Sequence, residues 1–538
     1  MSTSTGFSNM SVSSQVGVLT ERLPALTYAN LARAALVFLL PVCLLAPFYG
    51  ETFERDEGVF ATLARTILSG DVPYRDAWDH KPPLVSTWYA ASFLVFGETI
   101  EAPRIAASLS AALTCVVVFL LVKRMYGERV GLTAGLLLGL CYGIPYLQIN
   151  ANSEVFLMLP LVGSLYAFYR AYEERDPRWL LLAGAVAGVA FMHKQVAMWN
   201  FFALAGFLAW QGRQEQDWAA ARHRLLVFAG GAALALLPFF AYFAVRGALD
   251  DFVYAIFTYN ELFARQVPIL TRFIRMFSIK EPEVLAATAF LWVGAIVSVA
   301  RMLRGRPGAR EVLLLLWVAA CYIGVKTSGR DYPHYYVQML PGLVILTALV
   351  VTDLAERPLG ALRAAVPILL VVTFLGAFGW SAHVYAFGSL NEIHEEKFPD
   401  ELVTRADFEA QAVADYVRLT TQPDDTIFNL GRESQLYFLA GRDPATQFIY
   451  DRSFWLSDDT FDEAMRDLRR NRPAVIVDSL SIDLVGSRAG DLPTEFSEFL
   501  AENYEYVGRL HYAQIYRLNR PERPFGLMLW TSQFSGVY

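Results

Sequence analysis

Glu54-Arg55-Asp56-Glu57-Gly58-Val59-Phe60, running on to Trp78-Asp79-His80-Lys81-Pro82-Pro83-Leu84, is a charged stretch between the first two strongly apolar segments of the chain. Ionisable groups are costly in lipid, so a dense set at the mouth of apolar helices points to chemistry rather than to packing. The set holds two adjacent acids, Asp56 and Glu57, and a lysine, Lys81, stiffened by two prolines. One loop therefore carries a carboxylate able to accept a proton and a cation able to hold an anion.

Working outward, the chain has 538 residues, of which 55% are apolar and 14% aromatic, a composition that excludes an ordinary soluble enzyme. Apolar windows recur as far as residue 385 and then stop. Each approaches the roughly 17–25 residues that cross a bilayer. Eleven spans are expected, near 30–49, 104–122, 130–147, 155–171, 179–193, 197–211, 225–245, 284–303, 311–326, 335–352 and 364–385. Residues 84–96 are apolar but too short to span and read as an interfacial helix. The fold class is thus a polytopic α-helical membrane protein of about eleven spans with a C-terminal extracytoplasmic α/β domain.

The expected division is a disordered cytoplasmic tail over 1–27, a transmembrane domain over 28–390 with outer loops 50–103 and 246–283, and the α/β domain over 391–538. Basic residues cluster in alternate short loops: Lys123, Arg124 and Arg129; Arg170, Arg175 and Arg178; Arg213, Arg222 and Arg224; Arg301, Arg304, Arg306 and Arg310; Arg357 and Arg363. The positive-inside rule puts these in the cytoplasm, the N-terminus with them, and the long loops and tail outside. The first 20 residues lack a basic n-region and a small-residue cleavage site, so no cleaved signal peptide is read there. In the first outer loop, Val59, Phe60, Leu63, Ala64, Ile67 and Leu68 form a helical stripe ended by Gly70, suited to a helix on the membrane surface. The second outer loop mixes Phe252, Tyr254, Phe257, Tyr259, Phe263 and Phe273 with Arg265, Arg272 and Arg275, as suits the lipid interface. In the tail, helical patterns at 404–420 and 460–470 alternate with strand-like runs at 426–430 and 474–478. No glycine-rich phosphate loop appears there. Cys43, Cys115, Cys141 and Cys321 all fall in or beside apolar segments, so no disulfide framework is indicated.

Several residues carry two readings each. Asp56 caps a helix starting at Gly58, or serves as an oriented general base; the two are compatible. Lys81, Lys194 and Lys326, three of only six lysines, map to outer helix ends, where they snorkel or converge on a phosphate. Glu154, following Asn150, Asn152 and Ser153, caps the fourth span or binds a metal, an acceptor or a sugar hydroxyl. His193-Lys194-Gln195 and Arg330-Asp331-Tyr332-Pro333-His334-Tyr335-Tyr336 form two further outer turns.

Taken in order, Arg55-Asp56-Glu57-Gly58, Ser69-Gly70-Asp71, His80-Lys81-Pro82-Pro83-Leu84 with Trp88, Asn152-Ser153-Glu154, Lys194, and Pro333-His334-Tyr335-Tyr336 leading to Pro341 resemble the GT-C membrane glycosyltransferases. The branch resembled is that of the protein O-mannosyltransferases and aminoarabinose transferases, over nearly the whole chain. That resemblance implies a polyprenyl-phosphate-linked sugar donor and inverting transfer to an acceptor protein, glycan or lipid at the outer face of the cytoplasmic membrane. It implies Asp56, with Glu57, as the catalytic acids. It gives Lys81 and Lys194, with Arg55, His334 and Tyr335, to the donor phosphate. Glu154, Asn152 and His80 would meet the acceptor or a metal, and the aminoarabinose enzymes often have Asp where Glu154 stands. No cofactor is demanded, though a divalent cation (Mg or Mn) fits at Glu154. No nucleic-acid partner is expected. The rival classes are a lipid or polysaccharide transporter or flippase, which should show internal repeats that this chain lacks, a ligase using diphosphate-linked glycans, and a catalytically idle sensor.

Overall fold

The computed structural model describes residues 28–519 apart from 277, 280, 331, 357–364, 366–367, 377–378, 380–382, 384–386, 400, 452–457 and 480–492. Its contacts divide the chain into two compact units.

The first unit takes residues up to 50, 103–238 and 265–388. It is a bundle of apolar helices, among them Tyr28–Leu45, Glu128–Cys141, Ser153–Glu174, Pro177–Phe191, Met198–Glu215, Ala289–Arg304, Ala309–Lys326 and Leu340–Glu356. Five helical stretches, Tyr28–Phe48, Glu101–Tyr126, Ser153–Glu174, Trp218–Val245 and Pro333–Ala355, are long and apolar enough to cross a membrane. Others are shorter: Glu128–Cys141 has 14 residues and Pro177–Phe191 has 15. Helices stand where the first ten expected spans fall. The eleventh, 364–385, lies largely outside the described residues, which show helix over 368–376.

In lipid the hydrophobic effect does not drive helices together, so close approach of small residues must do so. Helix Pro177–Phe191 shows this through Gly184, where a methyl group would lie 1.9 Å from the Phe228 carbonyl oxygen. On the facing helix Gly231 is as tightly placed against the Leu181 carbonyl. Leu226, Leu234 and Leu237 of that helix point outward, exposed, as lipid-facing side chains do.

The second unit gathers three distant pieces: 51–102, 239–264 and 389–538. The sequence assigns the outer loops 50–103 and 246–283 to the transmembrane domain; residues 51–102 and 246–264 cluster instead with the tail, while 265–283 stay with the first unit. Its sheet has the order β1-β2-β4-β3. Strand β1 (Ile427–Leu430) runs parallel to β2 (Val475–Asp478), and β4 (Ala513–Leu518) is antiparallel to both β2 and β3 (Tyr504–Leu510). The two parallel strands are buried throughout, which suits their mostly apolar residues, with Asn429 and Asp478 buried among them. Helices Glu401–Thr420, Gln435–Ala440, Asp458–Asn471 and Thr494–Asn503 accompany the sheet.

Helix Arg55–Leu68 departs from expectation. It begins three residues before Gly58, and its N-cap is Glu54 rather than Asp56. Nor does it float on a membrane surface: the run from Glu57 to Ala64 is buried in protein. Gly58 is the reason it can dock, since a methyl group there would meet the Gln435 backbone nitrogen at 2.3 Å. Phe53 packs against Phe438, and Phe60 against Tyr89.

Candidate active site

Each unit joins one of the motif lysines to a carboxylate. In the second unit, Lys81 Nζ donates to Asp56 Oδ2 at 3.0 Å and lies 4.5 Å from the centre of the Phe60 ring. The Asp56 side chain keeps 41% of its surface exposed, while Lys81 keeps 13%. A carboxylate so placed is oriented by an ammonium yet still open to an incoming hydroxyl.

Local structure fixes both partners. The Glu54 carboxyl accepts from the Asp56 N–H at 3.2 Å, and the Glu57 carboxylate reaches back to the Glu54 N–H at 3.3 Å, a reciprocal capping arrangement. Glu57, expected beside Asp56 as a catalytic acid, is thus wholly buried and occupied in capping. Burial, with the negative charges of Asp56 and Glu57 close by, pushes the Glu54 carboxyl well above the usual carboxylate range. Asp56 in the first turn also meets the positive end of the helix dipole. Arg55 leans toward Asp407, Glu433, Glu54 and Asp56, so its charge is drawn into the protein.

Lys81 follows a turn held from several sides. The Tyr74 hydroxyl donates to the Lys81 carbonyl at 2.8 Å, with Tyr74 itself in the left-handed region (φ 73°). Tyr74 packs on Phe243 and Phe252. Such strain in a non-glycine residue persists only where the surroundings over-determine it. The Asn260 amide, in the helix Tyr259–Arg265 that follows a π-helical turn (Tyr254–Thr258), donates to the His80 carbonyl at 2.7 Å. The Trp78 N–H donates to the Gln447 carbonyl at 2.8 Å.

His80, expected to meet the acceptor, sits between Tyr259 and Phe263 with Nδ1 3.1 Å from the Tyr450 hydroxyl and 3.1 Å from Asp79 Oδ1. The Tyr450 hydroxyl donates to the same Asp79 oxygen at 3.2 Å. Burial opposes the Asp79 charge, but the His80 charge and hydrogen bonds, with Lys81 nearby, outweigh it and hold Asp79 below the usual range. Asp79, Tyr450, Asn260 and Glu54 escaped the sequence reading. Asp79 lies inside the motif and was legible there. Tyr450 and Asn260 arrive from remote segments that no local pattern connects.

In the first unit the pair is Lys194 with Glu154, in direct contact. Here the acid is closed off: the Glu154 side chain is 2% exposed. Its second oxygen accepts from the Ser153 hydroxyl at 2.8 Å. Lys194 Nζ lies 3.8 Å from the centre of the Tyr335 ring, a cation–π geometry, and His334 Nε2 stands 4.0 Å from Glu154. His334 Nδ1 faces Gln148 Oε1 at 3.3 Å, and its ring meets that of Tyr335 edge-on. Asn152 donates to the Gln148 carbonyl at 3.3 Å, while its own buried Oδ1 has no hydrogen-bond partner among the described residues. His193 is buried with Nδ1 on the Val189 carbonyl; burial lowers its pKa to about 4, leaving it neutral. Lys326 forms a separate cluster, donating to the Ser278 carbonyl and the Tyr336 hydroxyl. Lys280 and Asp331 lie outside the described residues.

The structure therefore brings Lys81 to Asp56, and Lys194 to Glu154, His334 and Tyr335. Asp56 and Lys194 belong to different units. Among the described residues no three His, Cys, Asp or Glu side chains gather as a cation site would require. The donor set at Glu154 is an ammonium and a hydroxyl rather than further metal ligands.

Residues 80–243 match the family described as dolichyl-phosphate-mannose-protein mannosyltransferase. No curated protein matches the chain by sequence. Among solved structures, ArnT from Cupriavidus metallidurans bound to undecaprenyl phosphate is similar at 17% identity and a TM-score of 0.58, covering 91% of this chain and 98% of that one. Its apo form gives 16% identity and 0.58, over 92% and 98%. The Archaeoglobus fulgidus oligosaccharyltransferase tethered to an acceptor peptide gives 15% identity and 0.50, over 92% and 74%. The chain thus shares its fold with ArnT, and its residues 80–243 are similar to the protein mannosyltransferase family.

Proposed function

We propose that the protein is an inverting glycosyltransferase that moves a sugar from a polyprenyl-monophosphate donor to an acceptor hydroxyl. The reaction takes place on the outer face of the cytoplasmic membrane, with the arginine-rich short loops inside and the tail outside. The observation carrying this reading is the Asp56–Lys81 pair: a half-open carboxyl group beside a lysine.

In the reaction, the acceptor oxygen attacks the anomeric carbon from the side opposite the phosphate, and the carbon–oxygen bond to phosphate breaks. Asp56 takes the acceptor's proton, and the polyprenyl phosphate departs with the bonding electrons. Lys81 meets the charge that grows on the leaving phosphate, where a preorganised cation is worth most. Lys194, steered by Glu154 and Tyr335, offers the bundle's own ammonium to an anionic headgroup. Glu154 acts by holding that lysine, and Glu57 and Glu54 act by holding Asp56. The lysines supply the positive charge a metal would bring, so transfer is expected to survive chelation by EDTA.

Purified protein incubated with undecaprenyl-phosphate sugars and an outer-membrane or glycan acceptor extract should release free undecaprenyl phosphate. The Asp56→Asn protein, still folded, should release it about 1000-fold more slowly. Turnover retained by Asp56→Asn near the wild-type rate removes Asp56 as the base. Release of a diphosphate lipid would mark a ligase, and movement of intact donor across vesicles without cleavage would mark a transporter.

A further inference from the structure

Behind the Asp56 helix, within the second unit, lies a buried charge cluster that the proposed reaction does not use. His394 is fully buried, with Nδ1 3.1 Å from Glu51 Oε1 and Nε2 3.3 Å from Asp407 Oδ2. Lys397 Nζ donates to the other Glu51 oxygen at 2.5 Å. Phe398 and Phe408 flank the imidazole.

Only a doubly protonated ring can donate from both nitrogens to two carboxylates. Within the directly bonded set, two carboxylates face the imidazole and a single lysine. A neutral ring would leave one ring nitrogen's lone pair against a buried carboxylate oxygen, the costly arrangement for a desolvated ion. Burial works against the imidazolium, but the hydrogen bonds and charges of Asp407 and Glu51 prevail, raising the His394 pKa.

The cluster grips the catalytic helix at two points. Glu51 opens the short segment that ends in Glu54, whose carboxyl caps the helix at Asp56. Asp407 Oδ1 accepts from the Gln435 amide at 3.0 Å, and the Gln435 backbone is what Gly58 lies against. Asp56 thus stands between the two fastenings. Other charges facing the cluster are Arg55, drawn toward Asp407 and Glu433, with Glu54 and Glu433, both pushed up by burial.

We propose that His394, held as an imidazolium between Glu51 and Asp407, is a positioning residue for Asp56 and makes transfer depend on the pH of the compartment around the second unit. This rests on the reading of Asp56 as the base. A raised histidine pKa contributes stability that is fully present below the ordinary value near 6.5 and lost as pH rises through the folded value.

The test is a pair of pH scans on full-length protein: thermal midpoint and kcat. In the wild type both should fall together above neutrality, with the donor KM little changed. His394→Gln should have a lower midpoint at pH 6 and lose that alkaline limb. Should it fail to fold, Asp407→Asn, which keeps the imidazole, must move the limb to lower pH by about one unit. A wild-type midpoint flat across this range, or a limb unmoved in both variants, overturns the proposal, as does a stability limb with no fall in kcat. The Asp56→Asn protein, nearly inactive, should show the same stability limb. The reading of Asp56 can therefore fail without moving that limb, and the limb can fail without touching Asp56.

Discussion

The two lysine–carboxylate pairs have the same chemistry and opposite exposure. Asp56 is open to solvent while Lys81 is tucked over Phe60; Glu154 is sealed beneath Lys194. An acid that must take a proton from a visiting hydroxyl needs access, whereas an acid that aims a lysine needs only a fixed place. Exposure, rather than residue type, therefore separates a candidate base from a candidate anchor. The buried histidines divide in the same way. His193 sets its Nδ1 on a backbone carbonyl and has its pKa lowered by burial, while His394 lies between two carboxylates that raise its pKa.

The largest effect that would break this comparison is at Lys81. Lys81→Ala should lower kcat about 100-fold, as loss of one charge-stabilising donor commonly does, with Lys81→Arg recovering part of it. An unchanged kcat would show that the exposed pair is not where phosphate charge develops. Next comes the helix that carries Asp56. Gly58→Ala forces a methyl group into the Gln435 backbone and should cost about 2 kcal/mol, read as a lower thermal midpoint. No shift would mean the helix is not docked as described.

Glu154→Gln should raise the donor KM about tenfold, roughly 1.4 kcal/mol, while largely sparing kcat; a fall in kcat alone would make Glu154 a participant. The smallest effect belongs to His193. Its folded pKa is lowered, so its contribution is intact above pH 6.5 and lost as pH falls toward about 4. His193→Gln should flatten the thermal-midpoint curve in that window only; an unchanged curve would mean His193 titrates alike in the folded and unfolded protein.

The bundle was legible because membrane helices announce themselves in hydropathy, and the parallel strands because burial on both faces leaves short, mostly apolar runs. Strands β3 and β4 were not read: Tyr504–Leu510 alternates weakly and sits exposed at the sheet edge. The motif around Asp56 and Lys81 was visible in order, but its supports were not. Glu51 meets His394, Trp78 meets Gln447 and His80 meets Asn260 from segments at least 180 residues apart, through contacts that only folding creates. Glu57 was misjudged because adjacency to Asp56 in sequence says nothing of facing; on a helix, neighbouring residues point apart, and this one turns inward.

Single-turnover transfer at saturating donor, compared between Asp56→Asn and Glu154→Gln, tests the division of labour most directly. The rate should fall about 1000-fold in Asp56→Asn and stay within about tenfold of wild type in Glu154→Gln. Equal losses, or a larger loss in Glu154→Gln, would contradict the account.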